Sequence, residues 1–105
     1  MSSFELTYLA DQDLEGIALY TLERWDEDQA DKYLSAFDTH FEEIAEGYLH
    51  TRSFFKHRDD VRFSKCQKHV VFHLVREDEP PLILAVFHES MELMSRLKNR
   101  LEELD

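Results

Sequence analysis

The sequence has little glycine, proline or cysteine. Its 105 residues include two Gly, two Pro and one Cys. Linkers and low-complexity tails are usually rich in Gly, Pro or Ser, so the lack of such stretches predicts one ordered domain over residues 1–105. Cys66 has no second cysteine with which to form an internal disulfide, and we interpret it as a small buried side chain.

Long apolar runs are also missing. No segment approaches the roughly 20 apolar residues that a transmembrane helix needs. Residues 1–5 lack the basic start and the apolar stretch of a signal peptide. We therefore expect a cytoplasmic protein that makes no contact with a membrane.

The motifs of several enzyme classes are absent. The sequence contains no Gly-rich phosphate loop, no C-x-x-C, no H-E-x-x-H and no G-x-S-x-G. Its six His residues are scattered, without the spacing of metal ligands. We expect neither a metal nor another cofactor.

Positive charge is scarce overall but concentrated in one segment. Residues 1–47 contain thirteen acidic and two basic side chains, whereas residues 52–68 contain six basic and two acidic ones. The net charge of −11 argues against direct DNA binding, because phosphate contacts need Lys and Arg. The basic segment either pairs with acidic groups of the same chain or binds an acidic partner. The candidate partner-binding residues are Arg52, Arg58, Arg62, Lys65 and Lys68.

Apolar residues at helical spacing predict a hairpin of two antiparallel helices over residues 11–48. The first apolar face consists of Leu14, Ile17, Ala18, Thr21, Leu22 and Trp25, and the second of Ala30, Tyr33, Leu34, Phe37, Phe41, Ile44, Ala45 and Tyr48. Asp11 and Asp26 are placed to cap the two helices, and Gly47 to end the second. Both faces are predicted to be buried in the core, Trp25 included.

Short runs rich in Val, Ile, Phe and Leu follow the hairpin and predict strands. Three runs cover residues 61–65, 69–76 and 82–88, and the short breaks between them imply an antiparallel meander. Residues 50–60 are predicted to be an irregular loop that Phe54 and Phe55 anchor to the core.

The two ends of the chain complete the predicted order of elements. Phe4, Leu6 and Tyr8 alternate with polar residues, which predicts a first strand. Ser90 is placed to cap a final helix that runs toward the C-terminus. The order β-α-α-β-β-β-α predicts an α+β fold in which the hairpin covers one face of a small, mainly antiparallel sheet.

Several short motifs occur along this order of elements. They are Asp13-Leu14, Ile17, Tyr20 and Trp25 in the first helix, Gln29-Ala30 and Tyr33 in the second, then Arg62, Lys68-His69-Val70-Val71-Phe72 and Phe87-His88-Glu89-Ser90-Met91. As an ordered set they resemble the motifs of the RelE/ParE superfamily of type II toxins, specifically of its ParE-like branch. Lys68 stands where that family usually has Arg, and His73 where it usually has Tyr.

The resemblance implies a RelE/ParE-like fold with an N-terminal strand, a helical hairpin, a three-stranded antiparallel meander and a C-terminal helix. Residues 90–105 would be a helical extension of that toxin domain. The resemblance further implies a toxin that a cognate antitoxin neutralises and that inhibits DNA gyrase through protein–protein contact, with no catalytic residue. It leaves the oligomeric state open.

Two alternatives remain. A toxin of the RelE type is a ribosome-dependent mRNA endonuclease, and this chemistry needs a general base, a general acid and cations for the phosphate. Arg62, Lys65, His73 and His88 are the candidates for those roles. A non-toxic relic or binding module with the same fold would use none of them. We expect His69 to hydrogen-bond a neighbouring backbone group.

Overall fold

A computed structural model describes residues 3–104, and over this range the chain forms three helices and five strands. The helices are α1 (Tyr8–Arg24), α2 (Glu27–Glu46) and α3 (Leu93–Glu103), and the strands are β1 (Glu5–Leu6), β2 (Arg52–Phe55), β3 (Arg58–Cys66), β4 (His69–Leu74) and β5 (Leu82–His88). The α+β, RelE/ParE-like fold predicted from the sequence is confirmed.

The five strands form one sheet in the order β1-β5-β4-β3-β2. Strands β2 to β5 are antiparallel neighbours, and β1 pairs with β5 in parallel. The meander therefore has four strands where three were predicted. The additional strand is β2, whose residues 52–55 fall in the predicted loop. Phe54 and Phe55 do pack against the core, as predicted, but they do so from a strand.

The helices cover both faces of the sheet, because successive strand residues point to opposite sides. On one face, Phe37, Phe41 and Ile44 of α2 pack against Cys66 and Val71. On the other face, Leu97 of α3 packs against a separate cluster. This second cluster contains Val61, Val70, Phe72, Leu84, Ala85 and Phe87. The core therefore consists of two layers separated by the sheet.

Helix ends were predicted with mixed success. Asp26 caps α2 by accepting a hydrogen bond from the Gln29 amide at 2.8 Å, and Gly47 ends it with a left-handed φ of 78°. The predicted Asp11 cap is wrong, because α1 begins three residues earlier at Tyr8 and Thr7 caps it. The predicted Ser90 cap is also wrong.

The end of α1 also explains why the burial predicted for Trp25 is wrong. Helix α1 ends at Arg24, and Trp25 follows it with an extended backbone, so helical spacing no longer determines where its side chain lies. Its side chain is 43% exposed. Tyr48 follows the end of α2 at Gly47 and is exposed for the same reason. Leu22 lies within α1 but on its outward side and is also exposed, whereas Phe37 is buried as predicted.

None of the helices within residues 3–104 is long and apolar enough to cross a membrane.

Candidate functional site

The basic segment forms β2, β3 and the two turns that follow these strands. Arg52 lies in β2, which is the last strand of the sheet, and its side chain is exposed. Lys68 is exposed in the turn between β3 and β4. Neither side chain makes a hydrogen bond or an ion pair with another residue in the range 3–104. Arg52 and Lys68 are therefore available to bind an acidic partner.

Two other predicted cations already have acidic neighbours. Arg58 binds Asp60 through two hydrogen bonds, of 3.1 and 2.9 Å, and this contact lowers the pKa of the Asp60 carboxyl. The Lys65 ammonium lies 2.7 Å from a Glu89 carboxylate oxygen and lowers the pKa of that carboxyl. Both pairs are solvent-exposed, so each contributes little to stability and a partner could displace it.

Arg62 has a structural role. Its guanidinium donates to the Thr51 hydroxyl at 2.8 Å, to the Thr51 carbonyl at 2.6 Å and to the Asp59 carbonyl at 3.2 Å. These bonds hold the segment before β2 against the start of β3. The same donors would be needed to bind a phosphate, so in this conformation they are occupied.

The four candidate catalytic residues do not form one site. Lys65 lies between Ser64 and Cys66, which contact α2, so its side chain is on the opposite face of the sheet. His73 is opposite Arg62 across the β3–β4 pair but is 3% exposed beneath α2. His88 is partly exposed, at the far end of β5.

His73 is poorly suited to proton transfer with a bound substrate. Burial, together with the nearby Arg62 charge, lowers the pKa of His73 to about 4. Its Nδ1 atom has no hydrogen-bond partner within residues 3–104. The adjacent His40 bonds the Ser64 hydroxyl at 2.8 Å, and burial lowers the pKa of His40 as well. These two histidines belong to the packing between α2 and the sheet.

His88 lies in a row of rings at one end of the sheet. Its ring contacts that of His69 edge-on, with centroids 5.2 Å apart, and His69 in turn bonds the Tyr33 hydroxyl at 2.9 Å. The backbone partner predicted for His69 is therefore wrong. The Ser90 amide donates to Nδ1 of His88, which leaves Nε2 to carry the proton of the neutral ring.

Cys66 is buried, as predicted, and has no reactive character. Burial raises the pKa of its thiol to about 11, and the thiol lies 3.8 Å from the Ala36 carbonyl of α2. A low thiolate fraction makes a cysteine a poor nucleophile. Within residues 3–104, no cluster of His, Cys, Asp and Glu side chains is arranged to hold a metal ion.

A partly buried ion pair joins the first and last helices and was not predicted from the sequence. Arg100 binds both carboxylate oxygens of Asp13 at 2.9 and 3.0 Å, and it also donates to the Leu84 carbonyl. Asp13 accepts a further bond from the Val86 amide, and the guanidinium lies 4.9 Å from the Phe87 ring centroid. The Asp13-Leu14 motif contained one partner, but nothing in the sequence indicated the other, 87 residues away.

Comparison with known proteins identifies related chains. Residues 4–93 match the family model described as the ParE toxin of the type II toxin-antitoxin system parDE. The chain is also 34% identical over 102 residues to a protein of Escherichia coli described as Toxin ParE, and the match covers 97% of this chain and 99% of that protein. The family match ends at the first residue of α3.

Proposed function

Because the chain belongs to the ParE toxin family, we propose that it inhibits DNA gyrase through protein–protein contact and that a cognate antitoxin neutralises it. The family match and the 34% identity to Toxin ParE support the first part of this proposal, that the chain is the toxin of a type II toxin-antitoxin system. The gyrase target is what resemblance to the ParE-like branch implies.

The dispersal of the candidate catalytic residues supports a mechanism without RNA cleavage. Acid–base cleavage requires a base, an acid and a cation within reach of one phosphodiester. Here the Arg62 guanidinium is hydrogen-bonded to the Thr51 carbonyl, and His73 is buried. Lys65 is on the other face of the sheet. Of the four, Lys65 and His88 lie outside the core, and Lys65 is paired with Glu89. A contact mechanism makes no such demand.

Expression of the chain alone in E. coli should therefore arrest growth and induce the DNA damage response. A His88→Gln variant should be as toxic as the parent, because a contact mechanism involves no proton transfer by His88. The matched control is His57→Gln in the exposed β2–β3 turn. Growth, a damage-response reporter and messenger-RNA cleavage are measured in the same cultures.

Two results would contradict this proposal. Loss of toxicity in a folded His88→Gln protein, with messages cut at the ribosomal A site and no damage response, would assign the RelE-type activity. In that case we expect a rate loss of about 10² to 10⁴, the usual effect of removing a general acid or base. A folded parent protein that accumulates without any growth arrest would identify a relic.

We further propose that an acidic segment of the antitoxin binds along the open edge of β2. This strand ends the sheet, so the backbone groups on its outer side can pair with an added strand. Arg52 and Lys56 are exposed there, and Lys68 lies farther along the basic segment. The hairpin is less suitable for an acidic segment, because it carries most of the acidic residues of the chain.

Charge reversal at Arg52 and Lys68 should slow antitoxin association by roughly tenfold or more at low salt, because charge complementarity acts mainly on the association rate. Arg52 and Lys68 are reversed one at a time. Lys98→Glu on α3 makes the same change in net charge as either single reversal, but away from β2, and should have little effect. Association is followed by stopped flow at 50 and 300 mM salt. Rates that are insensitive to salt and to both reversals would place the antitoxin elsewhere.

A further inference from the structure

Helix α1 exposes three large apolar side chains on the face that points away from the core. Ala10 and Thr21 are buried on the inner side, whereas Tyr8 is 75%, Leu19 65% and Leu22 51% exposed. Residues 8, 19 and 22 fall on one side of a helix with 3.6 residues per turn, over a length of about 20 Å. We call this outward side, with its three apolar side chains, the α1 surface.

The polar residues of the α1 surface are acidic or neutral. Asp11, Gln12, Glu15 and Glu23 lie among the three apolar side chains, and all four are exposed. The cation of this helix, Arg24, is on its flank, with its guanidinium 4.4 Å from the Tyr20 ring centroid. The α1 surface is thus an apolar stripe within negative charge.

The neighbouring helix extends this negative field. Glu27, Asp28 and Asp31 are exposed in the first turns of α2, directly after the short connection from α1. A second copy of this chain docked through the same surface would bring like charges together, which is unfavourable at an interface. An acidic segment would meet the same repulsion.

We infer that the α1 surface binds a basic amphipathic helix of a partner protein. Leucine-sized side chains of that helix would cover Leu19 and Leu22, and flanking Lys or Arg would meet Glu15 and Glu23. This is the helix-in-groove mode of recognition, in which apolar anchors repeat every three or four residues.

The α1 surface is separate from the β2 edge. Helix α1 packs on β5, whose backbone bonds Asp13, and three inter-strand spacings separate β5 from β2. At about 4.8 Å per spacing, the two surfaces are roughly 14 Å or more apart. Their charges are opposite, so they select chemically different segments. The inference therefore stands whether or not the antitoxin binds at β2.

The test uses the purified full chain and labelled synthetic peptides of 14 residues. The first peptide places Leu on one helical face and Lys on the other, the second has the same residues in scrambled order, and the third replaces Lys with Glu. We expect the first to bind at least about tenfold more tightly than the scrambled peptide in fluorescence anisotropy, and the third not to bind. The scrambled peptide measures attraction by charge alone.

The matched variants locate the site. The Leu19→Ser, Leu22→Ser double variant removes two of the apolar side chains. Its affinity for the first peptide should be at least about tenfold lower, equal to the affinity of the parent for the scrambled peptide. Val75→Ser changes an equally exposed apolar residue outside the helices and should not alter binding. Equal binding by the Leu19/Leu22 double variant and the parent would refute the inference. The inference would also be refuted if the parent sedimented as a dimer and the double variant as a monomer, because the α1 surface would then bind a second copy of the chain.

Discussion

Arg100→Ala should lower the free energy of unfolding by about 2 to 4 kcal/mol, since it leaves the partly buried Asp13 carboxylate without its charged partner. The Arg100 and Asp13 side chains are only 13% and 17% exposed, so solvent does little to compensate for the loss. The substitution also removes a donor from the Leu84 carbonyl and the cation over the Phe87 ring. Chemical denaturation monitored by circular dichroism measures the change.

Two controls separate burial from charge. Arg58→Ala breaks an ion pair whose side chains are 47% and 45% exposed and should cost less than about 1 kcal/mol. Replacing Asp13 with Leu together with Arg100 by Met should destabilise less than Arg100→Ala alone, because no charge is then left unpaired. An Arg100→Ala variant as stable as the parent would show that the pair contributes nothing to the stability of the fold.

Phe37→Ala should destabilise the protein by a similar amount, about 3 to 5 kcal/mol, which is typical of removing a fully buried aromatic ring. Phe37 is 1% exposed, and its ring contacts those of Tyr33, His69 and Phe41. A small domain is usually stable by only about 5 to 15 kcal/mol, so the variant should melt well below the parent.

Trp25→Ala is the informative comparison for Phe37→Ala. Both rings contact Tyr33, but the Trp25 side chain remains 43% exposed. Its removal should cost clearly less than removal of Phe37, since less apolar area returns to water. Thermal melts of the two variants in the same buffer measure the difference. Equal losses of stability would mean that the hairpin core extends to Trp25.

Hydrophobic periodicity predicted the fold well where a regular element buries one side. The spacing of Phe37, Phe41 and Ile44 placed the inner face of α2 correctly, and β5 has the predicted bounds. Periodicity failed at Trp25, where the helix has already ended. It also failed at β2, where Arg52, Ser53 and the loop-like flanks mask a strand on the sheet edge.

The candidate site was less predictable because charge along the sequence does not reveal which partner each cation has. The basic segment was found from composition, yet Arg62 bonds the Thr51 carbonyl and Lys65 pairs with Glu89 in the turn after β5. Arg62 and Lys65 are three residues apart in one strand, so alternation alone puts their side chains on opposite faces. Where His73 and His88 lie relative to them depends on the register with β4 and β5, which the sequence does not give. The exposed side of α1 was missed for a different reason: Leu22 was assigned to the core face, and Leu19 and Tyr8 were not recognised as part of a second face.

The links between the two ends of the chain have a consequence for its synthesis. Strand β1 pairs with β5, and Asp13 binds Arg100, whereas β2 to β5 join neighbours through short turns. Contacts between residues close in sequence form readily, while distant ones must first close a long loop. The meander can therefore form early through local contacts, but Asp13 has no ion-pair partner until Arg100 of α3 has been translated. A toxin built in this way is incomplete for almost the whole time that it is being made.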